Sequence, residues 1–579
     1  MSRKIALIGG GPAALFMYKK LTEFTSDEAL EIIIYEKNNQ LGAGMPYSNC
    51  GAMREHITNV SGNELPSLPQ TMKEWVAHVE PTILEPFGIN ERNFNECKVV
   101  PRLLFGIYLQ HQFELLIKKS KLSNIITTIW YSTTVSDIVY EQNTGMYKIV
   151  DDRQKDFLVD EAVICTGHVW PKTFEGKVDG WFDSPYPPQK LKQIYNAPVA
   201  IKGASLTAID AIRTLAHANG HFIHNNDSSY TYNLNDESNG FSIVLHSLYG
   251  YLPAVRFHLE DPHLTPKNFI EEEEVPDLKE KFGGYIPIDY IFKTNFVEPL
   301  KIQDNALYNV IKHMSIEKFV THMFTDRENM DGFDLLRQEC KEAEDSIANR
   351  SSVIWKETLG ALSYAMNYPA KHMSAEDMLR LKKVLMPLVS LIIAYVPQSS
   401  CRELLALHDA GVLTLIPVDE SSNVIPNENA GAVYHYDKEG NKKVHFKTFI
   451  NAIGQAAMQL NDFPFQSLKD DGIVSAAYLH FKDDKKAEEE INSGNELVVK
   501  AATEGYYLKV PGIGINDHFQ VLNNVGAFDP GIFIMAVPFI GGLNPDYSGL
   551  DFCDTASEKI AETIFRKTPA TNKKVLQLS

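Results

Sequence analysis

Residues 5–16, IALIGGGPAALF, set an apolar run against three consecutive glycines and a proline before the apolar residues resume. Glycines at this density break a helix, whereas a proline sits well in the first turn of a new one. The stretch therefore predicts a strand, a tight turn and a helix, with Gly9, Gly11 and Ala14 spaced as G-x-G-x-x-A. Each small residue answers a physical need: Gly9 permits the turn, Gly11 lets the backbone approach a pyrophosphate, and Ala14 lets helix and strand pack closely. The helix start presents free N–H groups and a partial positive charge, worth about 0.3–1 kcal/mol to an anion. A second strand, EIIIYEK at 31–37, ends near Glu36, 22 residues beyond Ala14. A carboxylate in that place accepts hydrogen bonds from an adenosine ribose and repels a 2′-phosphate. The first 45 residues thus read as a βαβ unit that holds a dinucleotide, in a parallel sheet covered on both faces.

The basic start, Met1-Ser2-Arg3-Lys4, ahead of this apolar run imitates a signal peptide, but the glycines and Pro12 would break its helix. VLMPLVSLIIAYV, 384–396, is too short to span a bilayer and contains Pro387, which predicts a buried helix. A chain of 579 residues needs several domains. Its net charge of −19 and the absence of a basic stripe argue against a nucleic-acid partner, and the acidic run Glu271–Glu274 reads as a solvated loop. The six cysteines include no C-x-x-C pair, which removes a dithiol redox centre and a close-spaced zinc site, and no metal ligands are assigned. Scattered free thiols suit a reducing compartment, so a cytoplasmic protein without membrane contact is expected.

Residues 125–165 carry short strand signals with a turn at Asn143-Thr144-Gly145, which predicts an antiparallel meander. A second βαβ-like unit begins at PVAIKGASLTAIDAIRTL, 198–215, and runs into FSIVLHS, 241–247. Its turn reads G-x-S-x-x-A, with Gly203, Ser205 and Ala208 in the key places and Thr207 at the helix start. A side chain at the second position costs about 1–3 kcal/mol where the backbone is strained, and it crowds a pyrophosphate, although a hydroxyl can itself bond a phosphate. After a Pro- and acid-rich stretch at 261–288 the pattern is helical to about 410, with a capping box at Ser374–Asp377. Strands resume at 411–418, and a second meander, 432–454, turns at Glu439-Gly440-Asn441. The expected fold is α/β, with two Rossmann-like dinucleotide-binding domains carrying antiparallel meanders, the second inserted in the first, plus a helical insertion. The boundaries are 1–189 and 456–579 for the first domain, 190–261 and 401–455 for the second, and 262–400 for the insertion.

Two such turns, each followed by a meander ending in a small residue and a glycine, at Cys165-Thr166-Gly167 and Ala452-Ile453-Gly454, resemble the flavoprotein superfamily with two dinucleotide-binding domains. Within it, LGAGMPYS (41–48), HITNVSGNEL (56–65), VVPRLLFGIYL (99–109), LLALHDAG (404–411) and INAIG (450–454) resemble the bacterial FAD/NAD(P)-binding family, itself distantly similar to flavin monooxygenases that N-hydroxylate amines and amino acids. The resemblance covers nearly the whole chain and is weakest over 262–400. It implies FAD at the first turn, held by Gly9, Gly11, Pro12, Ala13, Ala14, Glu36 and Lys37, with Val135, Thr166 and Gly167 from the meander. By the same resemblance Gly42, Gly44, Pro46 and Tyr47 would wrap the pyrophosphate and flavin approach, and His56 and Asn59 would lie near the flavin. Arg102 would serve the adenosine or substrate side, or close a salt bridge at a helix end. Near the carboxyl end, Gly542, Asn544 and Pro545 would let the backbone pass the flavin ring, and the helix beyond Asp551 would aim its N-terminus at it.

Gly203, Ser205 and Thr207 are the candidate contacts for NADH or NADPH. After the second strand of that unit the family usually offers Ser-Arg for a 2′-phosphate; here Leu245–Pro253 contains no arginine, so that His246 or the more distant Arg256 substitutes, or nothing does. The second site is therefore expected to be weakened, and no catalytic residue is assigned. Three functions fit. The leading one is an NAD(P)H-using FAD monooxygenase that takes O2 and a small amine- or amino-acid-like substrate. The others are a flavin oxidase or dehydrogenase reduced directly by its substrate, and a non-catalytic FAD-binding scaffold.

Overall fold

The computed structural model describes residues 2–24, 29–123, 125–436, 442–455, 457–501, 505–546 and 549–566. Strand β1 (Arg3–Ile8) is followed by helix α1 (Pro12–Glu23) and strand β2 (Leu30–Glu36). β1 and β2 run parallel, from Arg3 opposite Leu30 to Ile8 opposite Tyr35. Helix α2 (Arg102–Ser120) leads into β3 (Ile125–Tyr131), which pairs parallel with β2. β3 thus corrects the sequence reading, which placed it in the meander. As an edge strand it has no buried residue and leaves Ile126, Trp130 and Tyr131 exposed, which a meander strand would also do. The meander comprises β4 (Val135–Glu141), β5 (Met146–Asp151) and β6 (Asp156–Val159). β7 (Glu161–Ile164), buried throughout, then returns to the parallel sheet beside β1.

The chain next builds a second sheet. β8 (Trp181–Phe182) and β9 (Pro198–Lys202) precede helix α3 (Leu206–Asn219) and β10 (Ser242–Leu248). A helical block follows, including α4 (Ile354–Asn367) and ending with α5 (Gln398–Asp409) before β11 (Leu413–Val418). A second meander of β12 (Asn423–Pro426), β13 (Ala432–Tyr436) and β14 (Lys442–Phe446) ends at β15 (Thr448–Asn451); the turn expected at Glu439–Asn441 lies outside the described residues. The second sheet is parallel in the order β8-β15-β9-β10-β11. The chain then completes the first sheet with β16 (Gln520–Leu522) and β17 (Phe528–Ile534), giving the order β16-β17-β7-β1-β2-β3. Helix α6 (Gly549–Phe565) closes the fold against α1. The architecture is the expected pair of Rossmann-like domains, one inserted in the other, with meanders and a helical insertion.

In both sheets the first strand of the nucleotide turn lies between two parallel neighbours reached in opposite directions: β1 between β2 and β7, β9 between β10 and β15. The carboxyl end of such a strand is the crevice where α/β sheets bind ligands. The helical block interrupts the second domain in sequence, yet most of its apolar side chains, among them Ile286, Phe296, Leu359 and Leu388, join the core of the first domain. That shared core brings the block over the first domain's ligand crevice. Leu388, Val389 and Ile392 of the apolar stretch at 384–396 are fully buried in it, and among the described residues no helix is long and apolar enough to cross a membrane. Ser374 caps its helix by accepting the Asp377 N–H at 3.3 Å, while Glu376 reaches across to the N–H groups of Lys482 and Asp483.

Candidate functional site

The carboxyl end of β1 opens into a cavity of about 770 Å³. Gly9 has φ +107°, and a Cβ there would lie 2.9 Å from the Cys165 carbonyl oxygen, so only glycine fits. Gly11 starts α1, and its Cα faces that of Gly44 so closely that a Cβ would come within 3.3 Å of it. No side chain caps α1, which leaves its first N–H groups directed at the crevice where Gly9, Gly11, Pro12 and Ala13 form the wall. Ala14 is fully buried beneath them. Glu36 lines the same cavity, its carboxylate fixed by the N–H groups of Gly10 at 2.8 Å and Asn38 at 2.7 Å. Lys37 stands exposed at the mouth, and Val135, with Thr133 and Thr134, adds a wall from the meander. Gly44, Pro46, Tyr47, Asn59, Arg102, Thr166 and Gly167 also line it.

Six of the residues expected to touch FAD lie outside this lining: Ala14, buried under the turn, and five others. Gly42 is required by packing, because a Cβ would meet the Leu109 carbonyl oxygen of α2 at 2.6 Å. His56 is 1% exposed and spends its ring on the protein: Nε2 lies 2.9 Å from Thr214 Oγ1, and Nδ1 accepts the Met53 N–H at 3.2 Å. Burial, reinforced by Arg102, pushes its pKa down against the pull of Asp210. Gly542 lies where a Cβ would strike the Pro511 carbonyl oxygen. Asn544 is fully buried with Oδ1 3.3 Å from Lys371 Nζ, and Pro545 follows it outside the lining. The next described positions, Asp546 and then Gly549 to Cys553 at the N-terminus of α6, form the lining instead.

The second turn repeats the first. Gly203 has φ +104°, and a Cβ would lie 2.7 Å from the Ala452 carbonyl oxygen, as Gly9 meets Cys165. Ser205 caps α3 with φ −87° and ψ −167°, an extended conformation open to any residue, so the expected backbone strain is absent. Its side chain is exposed and bonds no backbone N–H of the helix. Leu206, Thr207 and Asp210 of α3 line the cavity, while Gly203 and Ser205 lie beyond its edge. Neither substitute for the missing arginine is available. His246 stacks on Tyr434 at 3.8 Å, and its ring nitrogens contact the Ile201 carbonyl at 3.1 Å and Tyr436 Oη at 2.6 Å. Burial pushes its pKa down to about 4, which keeps it neutral. Arg256 is buried in an ion pair with Glu64 and a 3.0 Å hydrogen bond to Ser61 Oγ.

The two domains meet at Arg102 and Asp210. Arg102 begins α2; its Nη1 lies 2.5 Å from Asp210 Oδ2 on α3, and Nε donates to the Ile57 carbonyl at 3.1 Å. Tyr186 donates to the same Asp210 oxygen at 2.9 Å. Burial works against the Asp210 carboxylate, but Arg102, His56 and Tyr186 together hold its pKa below the ordinary value. His168 and Gln455, on the two chain crossings between domains, pair at 2.5 Å and also line the cavity. The far end is walled by the helical block and the carboxyl-terminal segment: His263, Gly360, Tyr364, Tyr395, Asp546 and Asp551. Tyr364 donates to Asp551 at 2.7 Å, and Ser363 donates to Asp546. Sequence reasoning missed Asp210, Tyr186 and this end wall. Only Asp551, at a helix start after a glycine-rich turn, carried a local signal.

The residues present fit FAD. The Gly11–Gly44 cradle is one that a Cβ would fill, the uncapped start of α1 suits a pyrophosphate, Glu36 faces the same space, and Thr166 Oγ1 is buried in the lining without a partner among the described residues. The match to known proteins agrees. Residues 6–169 match the family described as FAD-NAD(P)-binding, and residues 271–393 match the YdhS-like middle domain. The chain is 26% identical to the YdhS protein of Escherichia coli K12 over 470 residues, covering 81% of this chain and 86% of that protein. Among solved structures it is similar to the ornithine N-hydroxylase of Kutzneria sp. 744, at 13% identity and TM-score 0.47, covering 97% of this chain and 99% of that one. It is also similar to the bacillithiol disulfide reductase of Staphylococcus aureus, at 11% identity and TM-score 0.41, covering 98% and 99%. The chain is a homologue of YdhS whose amino-terminal domain is an FAD/NAD(P)-binding domain.

Proposed function

We propose that this protein is an FAD-dependent oxidoreductase that uses a reduced nicotinamide dinucleotide to oxygenate a small amine-bearing substrate in the cytoplasm. The observation that carries the reading is the continuity of one cavity. It runs from Gly9–Ala13 and Glu36, past Thr166–His168, to Leu206 and Thr207 of the second nucleotide helix, and ends at Tyr364, Tyr395 and Asp546. A hydride donor at α3, a flavin at α1 and a substrate under the helical block would therefore share one chamber. The overall conversion balances as amine, O2, NAD(P)H and a proton giving hydroxylamine, water and NAD(P)+. Bound FAD would supply the two-electron chemistry and the activation of O2.

The protein's own contribution is binding, orientation and exclusion of water. The start of α1 would bind the pyrophosphate, and Glu36 the adenosine ribose. The N-terminus of α6 would put a positive potential beside the ring. The apolar wall of Leu264, Ile393, Val537 and Leu550 would keep water from the reacting atoms. Gly9, Gly44 and Thr166 support the same assignment of the first site.

A second reading, direct reduction by substrate, draws support from the neutral, fully bonded His246 and the buried, paired Arg256, which leave the nicotinamide end without a free cation at these two positions. Anaerobic mixing of the purified protein with NADH, NADPH and then amines separates the two. The leading proposal expects flavin bleaching by nicotinamide and amine-dependent oxygen uptake afterwards. Bleaching by amine alone would replace it with the second reading.

A further inference from the structure

The end of the cavity under the helical block has an unusual charge balance. Asp546 and Asp551 both line it; among the described residues neither has a lysine, arginine or histidine within ion-pair distance, and the ring of His263 in the same wall acts on Asp551 alone. Among the described residues the side chain of Asp546 is hydrogen-bonded by the hydroxyl of Ser363, and its N–H is tied to Asn367 Oδ1 at 2.8 Å. Asp551 receives the Tyr364 hydroxyl. Buried carboxylates are normally matched by a cation, because isolated negative charge in a low-dielectric site is expensive.

A second, independent feature faces the same space. Tyr395 is 7% exposed and lines the cavity, and its hydroxyl has no hydrogen-bond partner among the described residues. A buried polar atom left in this state marks a place where a ligand atom belongs. That hydroxyl reaches this position only because Gly360 of α4 has no side chain; a Cβ there would stand 2.7 Å from it. Two carboxylates and one unpartnered hydroxyl thus converge on one end of the chamber, and the cationic Arg102 of the lining is already committed to Asp210.

We infer that Asp546, Asp551 and Tyr395 form a subsite for an ammonium group on a substrate that carries no carboxylate at that end. An ammonium offers three N–H donors and one positive charge, which match two carboxylates and a hydroxyl oxygen. A carboxylate in the same place would meet two like charges. The held nitrogen stays protonated and is therefore not the reacting centre; the atom to be oxidised lies elsewhere on the same molecule. This separates simple amines from amino acids, which the sequence leaves together. The inference rests on the proposed reading of this chamber as the substrate site.

The test uses the purified, oxidised, FAD-loaded protein and reads binding by calorimetry and by the flavin difference spectrum, without turnover. Diaminopentane is compared with lysine, its carboxylate-bearing counterpart, and with pentanol. The expected result is that diaminopentane binds at least about tenfold tighter than either of the others. Asp546→Asn and Tyr395→Phe are each expected to weaken diaminopentane while the flavin content is unchanged, by about tenfold and severalfold respectively. Equal binding of lysine and diaminopentane, no binding of either, or an unchanged affinity in a flavin-loaded Asp546→Asn variant would overturn the inference. The comparison of the two ligands on the unaltered protein decides the matter even if a variant fails to fold. Failure of nicotinamide to reduce the flavin would sink the proposed oxygenation but leave this binding result standing.

Discussion

Gly11 and Ser205 begin helices α1 and α3 with the same backbone conformation, φ −79° and ψ −162° at the first, φ −87° and ψ −167° at the second. Gly9 and Gly203 precede them with matching positive φ, and each packs on the carbonyl that ends its meander. The second turn is therefore intact as a turn and differs by one side chain. Reciprocal exchange tests what that side chain does. Gly11→Ser places a Cβ against Gly44 and is expected to lower FAD affinity by about tenfold or more. Ser205→Gly is expected to leave flavin content unchanged and to alter NADH affinity by less than about threefold. Flavin content and fluorescence titration read both; a large gain of NADH affinity in Ser205→Gly would show that the serine blocks the site.

Coenzyme choice follows from what surrounds β10. A 2′-phosphate needs a cation, and both His246 and Arg256 are consumed inside the protein. NADH is accordingly expected to reduce the flavin at lower concentration than NADPH. Leu248, 48% exposed at the end of β10, is a place where Leu248→Arg should narrow or reverse that preference. Anaerobic reduction rates across a concentration series measure it, and a preference for NADPH in the unaltered protein would contradict the account.

The ion pair of Arg102 and Asp210 is buried between the domains, with side chains 14% and 6% exposed. Removing one partner leaves an unmatched charge, so Arg102→Met is expected to destabilise by about 3–5 kcal/mol. The double change Arg102→Met with Asp210→Leu is expected to recover a large part of the loss. Thermal unfolding of the FAD-loaded proteins gives the comparison.

Local chemistry was legible in the sequence, and long-range convergence was not. Gly9, Gly11 and Glu36 could be placed because a turn and the strand beside it fix them within a few dozen residues. Gly42, Gly542 and Asn544 gave equally strong turn signals, but a glycine that avoids a neighbouring carbonyl looks in sequence like one that admits a ligand. β3 was misread because an edge strand of the parallel sheet is as incompletely buried as a meander strand. Gly360, Tyr395 and Asp546 come from three segments that meet only through the shared core of the helical block and the first domain, and no spacing rule connects them.

Asp546 predicts a pH effect of definite sign. Burial raises its carboxyl pKa from 3.8 to about 6, against the hydroxyl of Ser363. The folded state is then free of penalty below the unfolded value, and stability falls as pH rises from 3.8 through 6, by about 3 kcal/mol in total. Asp551, also raised by burial, acts in the same direction, while His263, Tyr364 and Tyr395 are the other titratable groups at this end of the cavity. Glu403 acts oppositely. Burial raises it, but Arg213 and His217 win and hold it at about 2, so its stabilisation is lost as pH falls from 4.5 through 2. Unfolding midpoints against pH should show the Asp546 limb vanish in Asp546→Asn and the acid limb weaken in Glu403→Gln. The affinity for diaminopentane should rise with pH through about 6 in the unaltered protein and stay flat in Asp546→Asn.

The visible absorbance of the freshly purified protein, before and after incubation with FAD and removal of excess, reaches the centre of the account most directly. One FAD retained per chain, and its loss in Gly11→Ser, is the predicted result. A colourless protein that takes up no flavin would contradict the assignment of the Gly9–Ala14 turn and everything built on it.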